Sequence, residues 1–215
     1  QFHKPEGVDA LIAKREAFLT QYQNVAYAKS YRAVVERVRT AEAALNKTTL
    51  TEAVARNLFK LMAYKDEYEV ARLHTDKAFL QKIDGMFEGN YTLNYHLAPP
   101  LIAKTNAKGE LQKQKFGPVM LTGFKVLKHF KWLRGTALDV FGYTHERRTE
   151  RALIAQYQSS VDAMLSQLNA DNHALAIEMA RIPEQIKGFG HVKARHLAAA
   201  RQKWDALKAQ WSAPN

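Results

Sequence analysis

The 215-residue chain contains no cysteine. That excludes a disulfide framework, a thiolate zinc or iron–sulfur site, and a cysteine nucleophile. No run of about 18 apolar residues occurs, the length a membrane-spanning helix needs. The chain does not open on the apolar core of a secretory signal. Those absences predict a soluble, cytoplasmic chain with no membrane partner. Proline and glycine are sparse, 6 and 10 residues, so turns are concentrated rather than spread. What is present is ordinary globular material, 47% apolar and 25% charged. A chain of this length buries roughly 70% of its unfolded surface and needs no metal or staple to hold a core. The first residue is Gln1, so the sequence reads as a piece of a longer polypeptide.

The basic excess is unevenly spread. The whole chain carries 32 Lys and Arg against 21 Asp and Glu, a net of +11. Residues 1–95 hold 14 basic and 12 acidic side chains, and residues 152–215 hold 7 and 5. The stretch 96–151 holds 11 and 4, so +7 of the excess lies there. Such a segment attracts phosphates, nucleic acid or an acidic protein. The plain alternative is a solvated lysine face.

Helical periodicity dominates the rest. Val8, Leu11, Ile12, Phe18, Leu19, Tyr22 and Val25 begin a 3.6-residue stripe that runs on to Leu45. Asp9 is placed at or near its N-cap, and a break near Lys29–Ser30 relieves its length. Thr51 and Glu52 open a second helix through Leu58, Leu61 and Met62. A third, over Tyr64, Tyr68, Ala71 and Arg72, ends about His74, and a short one holds Phe79, Leu80 and Ile83. Residues 84–117, punctuated by Gly, Pro and Asn, form a loop-rich segment with at most a short strand or hairpin near 90–97, and Asn106–Gly109 is a loop tip. Pro118 starts a helix reaching Trp132 or Leu133. Thr144 and Arg147 make an imperfect capping box before the stripe Leu153–Leu168. Asp171 caps a helix that must stop before Pro183. Gly188 and Gly190 form a joint. Leu197, Ala200, Trp204, Leu207 and Trp211 lay a seam along the last helix, for an internal partner or another chain. The prediction is one mostly α, multi-helix domain over 1–215.

Catalytic templates largely fail. There is no glycine-rich phosphate loop and no Gly-x-Ser-x-Gly elbow. His145-Glu146-Arg147-Arg148-Thr149 lacks the second histidine of a zinc helix, so no metal site is assigned. His74 reads as a helix-end residue meeting terminal carbonyls. His191 and His196 lie five apart and read as structural or surface. Asp66 and Glu69 offer paired carboxylates of the kind glycosidases use. Set among Lys65 and Arg72, however, they read better as ion pairs, or as a buried network that fixes helix docking. The most suggestive anion site joins Arg134, Arg147, Arg148 and Arg151. Gly135 and Gly142 lie nearby, and a helix start follows. Against it stands pairing of these arginines with Asp139, Glu146 and Glu150.

Several ordered stretches carry a family likeness. They are Val54–Leu73, His96-Leu97-Ala98-Pro99-Pro100-Leu101, Phe116-Gly117-Pro118 and Arg134-Gly135-Thr136-Ala137-Leu138-Asp139. Phe141-Gly142-Tyr143-Thr144 with Glu146-Arg147-Arg148, and Gly188-Phe189-Gly190-His191-Val192-Lys193, complete them. Together, over about residues 10–205, they resemble the C-terminal helical region of long, fused indolepyruvate ferredoxin oxidoreductases. Departures are Val140 where Pro, His74 where Tyr and Val119 where Trp is commoner.

The resemblance implies a parent that decarboxylates an aryl-2-oxoacid. It does so with thiamine diphosphate, Mg and iron–sulfur clusters, and passes electrons to ferredoxin while forming an acyl-CoA. This chain has no Gly-Asp-Gly…Asn-Asn motif and no cysteine, so the cofactors are expected in other domains and no catalytic or cofactor-binding residue is carried over. The expected role is a non-catalytic accessory domain docking on other domains or protomers of the parent. Its basic segment, with Lys104, Lys115, Lys125, Lys128 and Lys131, would meet ferredoxin or the phosphates of coenzyme A. The runner-up is a nucleic-acid-binding helical module, favoured by a pI near 9.7 but lacking any recognisable nucleic-acid motif. A free-standing enzyme comes third.

Overall fold

Apolar residues recurring every three to four positions give helices, and helices make up nearly all of the architecture. The computed structural model describes residues 7–97, 112, 114–188 and 190–212. In chain order the described elements are α1 (Val8–Tyr22), α2 (Val25–Ala43), α3 (Thr49–Met62), α4 (Glu67–His74), α5 (Lys77–Asp84), β1 (Tyr95–Leu97) and β2 (Gln114–Phe116). There follow α6 (Val119–Leu127), α7 (His145–Leu165), α8 (His173–Ala180) and α9 (Gly190–Trp211). Single 3₁₀ stretches continue α6 over Lys128–Leu133 and lie between α8 and α9 at Ile182–Gln185. The mostly α fold read from the sequence is the observed one. Its contacts gather into two compact units: one takes the chain as far as Ala63 and again from Thr149, the other runs Tyr64–Arg148.

The first unit has an aliphatic core. Leu11, Leu19, Val35, Val54, Leu58, Val161, Ala180 and Ala200 lose essentially all solvent contact. Three large aromatic residues of this core have their polar ends satisfied. Tyr31 Oη donates to Ala55 O at 3.0 Å, Tyr157 Oη to Ala180 O at 2.8 Å, and Trp204 Nε1 to Ser160 Oγ at 3.1 Å. Tyr157 and Trp204 also meet edge to face. The seam on α9 is therefore internal: Leu197, Ala200, Trp204 and Leu207 are all buried in this unit.

Several element ends differ from the sequence reading. The long first helix breaks at Gln23–Asn24, not at Lys29–Ser30, because Asn24 caps α2 by accepting from Tyr27 N at 2.9 Å. The N-cap of α1 is Gly7, with Asp9 in the first turn. Thr48 precedes α3, so Thr51 lies inside it. Asn172, not Asp171, stands before α8, and Asn169 Oδ1 accepts from the Asp171 and Asn172 amides. In each case a neighbouring polar side chain or glycine competes for the same terminus, and spacing alone does not rank them.

The second unit has a much smaller apolar core. Ala71, Tyr95 and Phe124 are buried there, with Val70, Phe116, Met120 and Leu127 partly buried around them. The short-strand expectation is met by an antiparallel pair in which Tyr95 faces Phe116 and Leu97 faces Gln114. The Asn106–Gly109 tip lies outside the described residues, as does Lys104. α5 buries no residue. What this unit lacks in apolar burial it replaces with charge.

Candidate functional site

The charged cluster starts at the N-terminus of α4. Asp66 precedes the helix with extended backbone, and its Oδ1 accepts from Glu69 N at 2.9 Å. The Asp-x-x-Glu spacing of Asp66 and Glu69 is the legible sign of that cap. The same carboxylate receives Arg134 across 68 residues of sequence, Nη2 to Oδ1 at 2.8 Å and Nε to Oδ2. Both side chains are 3% exposed. The guanidinium also lies 5.7 Å from the Tyr68 ring centroid.

A second buried carboxylate completes the cluster. Asp139 Oδ1 accepts from Tyr68 Oη at 3.1 Å, and Oδ2 accepts from Gly135 N at 2.9 Å. Burial, and then the Asp139 charge, push the Tyr68 phenol well above its ordinary range, so it is a fixed donor rather than a titrating group. Gly142 is required here: a Cβ on it would stand 2.6 Å from Asp139 Oδ2. Phe141 closes edge-on against Tyr68, with ring centroids 5.4 Å apart.

Two further forks flank the cluster. Arg147 Nη2 and Nε donate to Glu67 at 3.2 and 3.3 Å, with the guanidinium 5.8 Å from the Tyr64 ring. Arg72 binds Glu69 in the same way, at 2.7 and 2.8 Å, and the bond to Glu69 raises its pKa. Asp66, Glu67 and Glu69, the acids that open α4, thus each hold an arginine. Bidentate, partly desolvated pairs of this kind are strong and orienting. The carboxylate pair Asp66/Glu69 is committed to arginine forks, as the buried-network reading anticipates.

The anion candidates fare differently from their grouping in sequence. Arg134 pairs with Asp66 and Arg147 with Glu67, because the tertiary fold brings α4 against them, and sequence spacing carries no sign of that. Arg148 donates to Tyr143 O through Nε at 3.0 Å and Nη2 at 2.7 Å. Arg151, a turn further along α7, belongs to the first unit. Glu150 takes Lys193. The half of the capping box that survives is Thr144 Oγ1, which accepts from Arg147 N at 3.3 Å.

The docking candidates lie at the surface. Lys115 and Lys125 are exposed, and Lys128 and Lys131 half-buried. The Lys131 ammonium is held below its ordinary pKa by burial and then by Arg134 and Arg72. His74 departs from expectation. Its ring stacks on Phe124 at 5.4 Å and meets Tyr95 and Phe79 edge-on, and its Nδ1 has no hydrogen-bond partner. Aromatic packing, not the helix-end carbonyls, sets its position, and burial lowers its pKa.

One buried constellation in the first unit escapes the sequence altogether. Glu42, with no exposed surface, accepts from Leu50 N, Thr51 N and Thr51 Oγ1 at 2.6–2.7 Å. It also meets His173 Nε2 at 2.8 Å, across 131 residues. Burial raises its pKa, but the bonds from Thr51, His173 and Leu50 outweigh that and the net direction is down. It caps α3 from another helix, a role no local pattern announces. Among the described residues, no group of three or more His, Asp or Glu side chains is placed to hold a metal ion. Nor is any helix there long and apolar enough to cross a membrane.

The architecture is thus a mostly α domain whose charged cluster is built from bidentate acid–arginine pairs. The chain belongs to the Family of unknown function (DUF6537), whose model matches residues 8–206. No curated protein and no solved structure matches it.

Proposed function

We propose that the chain is a non-catalytic accessory and assembly domain of a cytoplasmic, thiamine-dependent 2-oxoacid:ferredoxin oxidoreductase. It acts by binding other domains or protomers of that enzyme, and through its basic segment ferredoxin or the phosphates of coenzyme A. The observation that carries the reading is the commitment of Asp66, Glu67 and Glu69 to Arg134, Arg147 and Arg72. Carboxylates whose oxygens are already engaged by bidentate arginine forks are poorly placed to reach a substrate's proton. The motif likeness to the oxidoreductase supplies the identity of the parent. Thiamine diphosphate and the clusters sit in the other domains on this reading, consistent with a chain that has no cysteine.

The test is deletion of residues 8–206 from the full-length oxidoreductase. With an artificial dye as acceptor, 2-oxoacid oxidation per assembled enzyme is expected to persist. Assembly, or reduction of ferredoxin, is expected to fall. Loss of dye reduction in a correctly assembled enzyme would show that the domain takes part in the chemistry and would end the proposal. A nucleic-acid module would instead bind duplex or single-stranded nucleic acid with a steep loss of affinity in salt.

A further inference from the structure

The surface of the second unit is unusual along α6 and its 3₁₀ continuation. Phe124 and its neighbours Met120, Leu121 and Leu127 face the small core. The opposite stripe, at helical spacing, is Val119, Thr122, Gly123 and Val126, and all four are exposed. Val119 is 83% and Val126 56% exposed. In the 3₁₀ stretch that follows, residues three apart eclipse one another. That places Lys128 with Lys131 in one row and His129 with Trp132, which is 58% exposed, in the next. An apolar stripe is therefore edged by a row of lysines.

Two observations identify what covers it. The first is charge. No acidic residue occurs from Leu111 to Leu138, a stretch that holds Lys125, Lys128 and Lys131. An isologous pairing of two copies would set lysines against lysines, so the second copy is disfavoured. The second observation is Gly123. It sits inside α6, where glycine costs about 1 kcal/mol relative to alanine. A Cβ there would meet only Met120 Sδ, at 3.9 Å, so among the described residues nothing asks for glycine. A partner packing closely over that point would.

We propose that the α6–3₁₀ face is a docking surface for an acidic protein segment, whose carboxylates flank an apolar ridge that lies over Gly123. This deepens the assembly reading by naming a surface and the partner's chemistry, and it rests on that reading only in taking the domain to work by binding. Lys125, Lys128 and Lys131 set orientation and encounter rate, and Val126 and Trp132 supply the desolvated centre.

The experiment uses the whole chain and a fluorescein-labelled helical peptide with glutamates flanking a leucine stripe. Its companions are the same peptide with serine for leucine, phosphatidylserine vesicles and duplex DNA. The Glu/Leu peptide is expected to bind saturably and to weaken about tenfold or more between low salt and about 300 mM salt. The pair Lys125→Glu and Lys128→Glu is expected to lower affinity at least about tenfold. Gly123→Leu is expected to abolish binding while thermal unfolding holds or rises, which separates docking from folding. Absence of saturable binding at low salt overturns the proposal. So does affinity unchanged by Gly123→Leu, or binding of vesicles or DNA in preference to the peptide. The deletion experiment on the full-length enzyme can still succeed in those cases, so the two readings fail separately.

Discussion

The two compact units solve the same problem with opposite materials. The first, up to Ala63 and from Thr149, buries a continuous aliphatic core and places Tyr31, Tyr157 and Trp204 where each polar end finds a partner. The second, Tyr64–Arg148, gathers only Ala71, Tyr95 and Phe124 into a buried apolar cluster, buries Tyr64 and Tyr68 beside charged groups, and gains its order from Asp66, Asp139, Arg134 and Arg147. It also carries nearly all of the large apolar side chains that stand exposed among the described residues, Val119, Trp132, Leu138 and Val140 among them; Val25 is the exception. A core of charges is directional and fixes geometry, but adds less net stability than apolar packing of the same volume. A unit built that way is suited to presenting a surface of fixed shape. The first unit is suited to holding the fold.

Breaking the charged cluster should have the largest effect. Arg134→Ala leaves Asp66 buried and unpaired, and is expected to cost about 3–5 kcal/mol. Native-state hydrogen exchange should show the loss in α4 and α6 first. Replacing both partners, Arg134→Met with Asp66→Leu, should recover part of it. Asp66 also caps α4, so recovery is incomplete by about 1 kcal/mol. If the single variant is silent, the contrast between the units is wrong.

In the first unit the corresponding change is smaller. Tyr157→Phe keeps the ring against Trp204 and removes only the donor to Ala180 O, at an expected cost of about 1–3 kcal/mol, read from denaturant unfolding.

Acid should separate the two units further. His74 in the second unit has its pKa lowered from 6.5 by burial. Glu42 in the first has its own lowered from 4.5, by hydrogen bonds that outweigh its burial. A depressed pKa contributes stability that is present above the unfolded-state value and lost as pH falls toward the folded one. The second unit should therefore begin to weaken below about pH 6.5 and the Glu42 contribution only below about pH 4.5, each at up to about 1.4 kcal/mol per pH unit. Hydrogen exchange against pH, with His74→Phe to remove the first phase, checks the order. The smallest effect is expected at the exposed Arg56–Glu52 pair on α3, where Glu52→Ala should change stability by less than about 0.5 kcal/mol.

Legibility in the sequence followed the range of the interaction. The stripe on α9 and the Leu153–Leu168 stripe were readable because one helix face records its own burial. The α1–α2 break was misplaced because Asn24 and Ser30 are both credible local signals, and only the cap bond to Tyr27 N distinguishes them. Asp66 and Glu69 were visible as a dense charged stretch, and their use in a buried network was anticipated. Their partners were not, since Arg134 lies 68 residues from Asp66. His74 read as a helix end because its aromatic neighbours arrive from α5, β1 and α6.

The sequence by itself determined the helical class, the positions of most elements, the concentration of basic charge in 96–151 and the absence of cysteine chemistry. Each of these is a property of composition or of spacings within about one helical turn. Tertiary structure alone decided which acid holds which arginine, that Glu42 caps α3 beside His173, and that the 3₁₀ turn after α6 aligns Lys128 with Lys131. A carboxylate pairs with whichever cation the fold brings within hydrogen-bond reach, and nothing in local spacing encodes that partner.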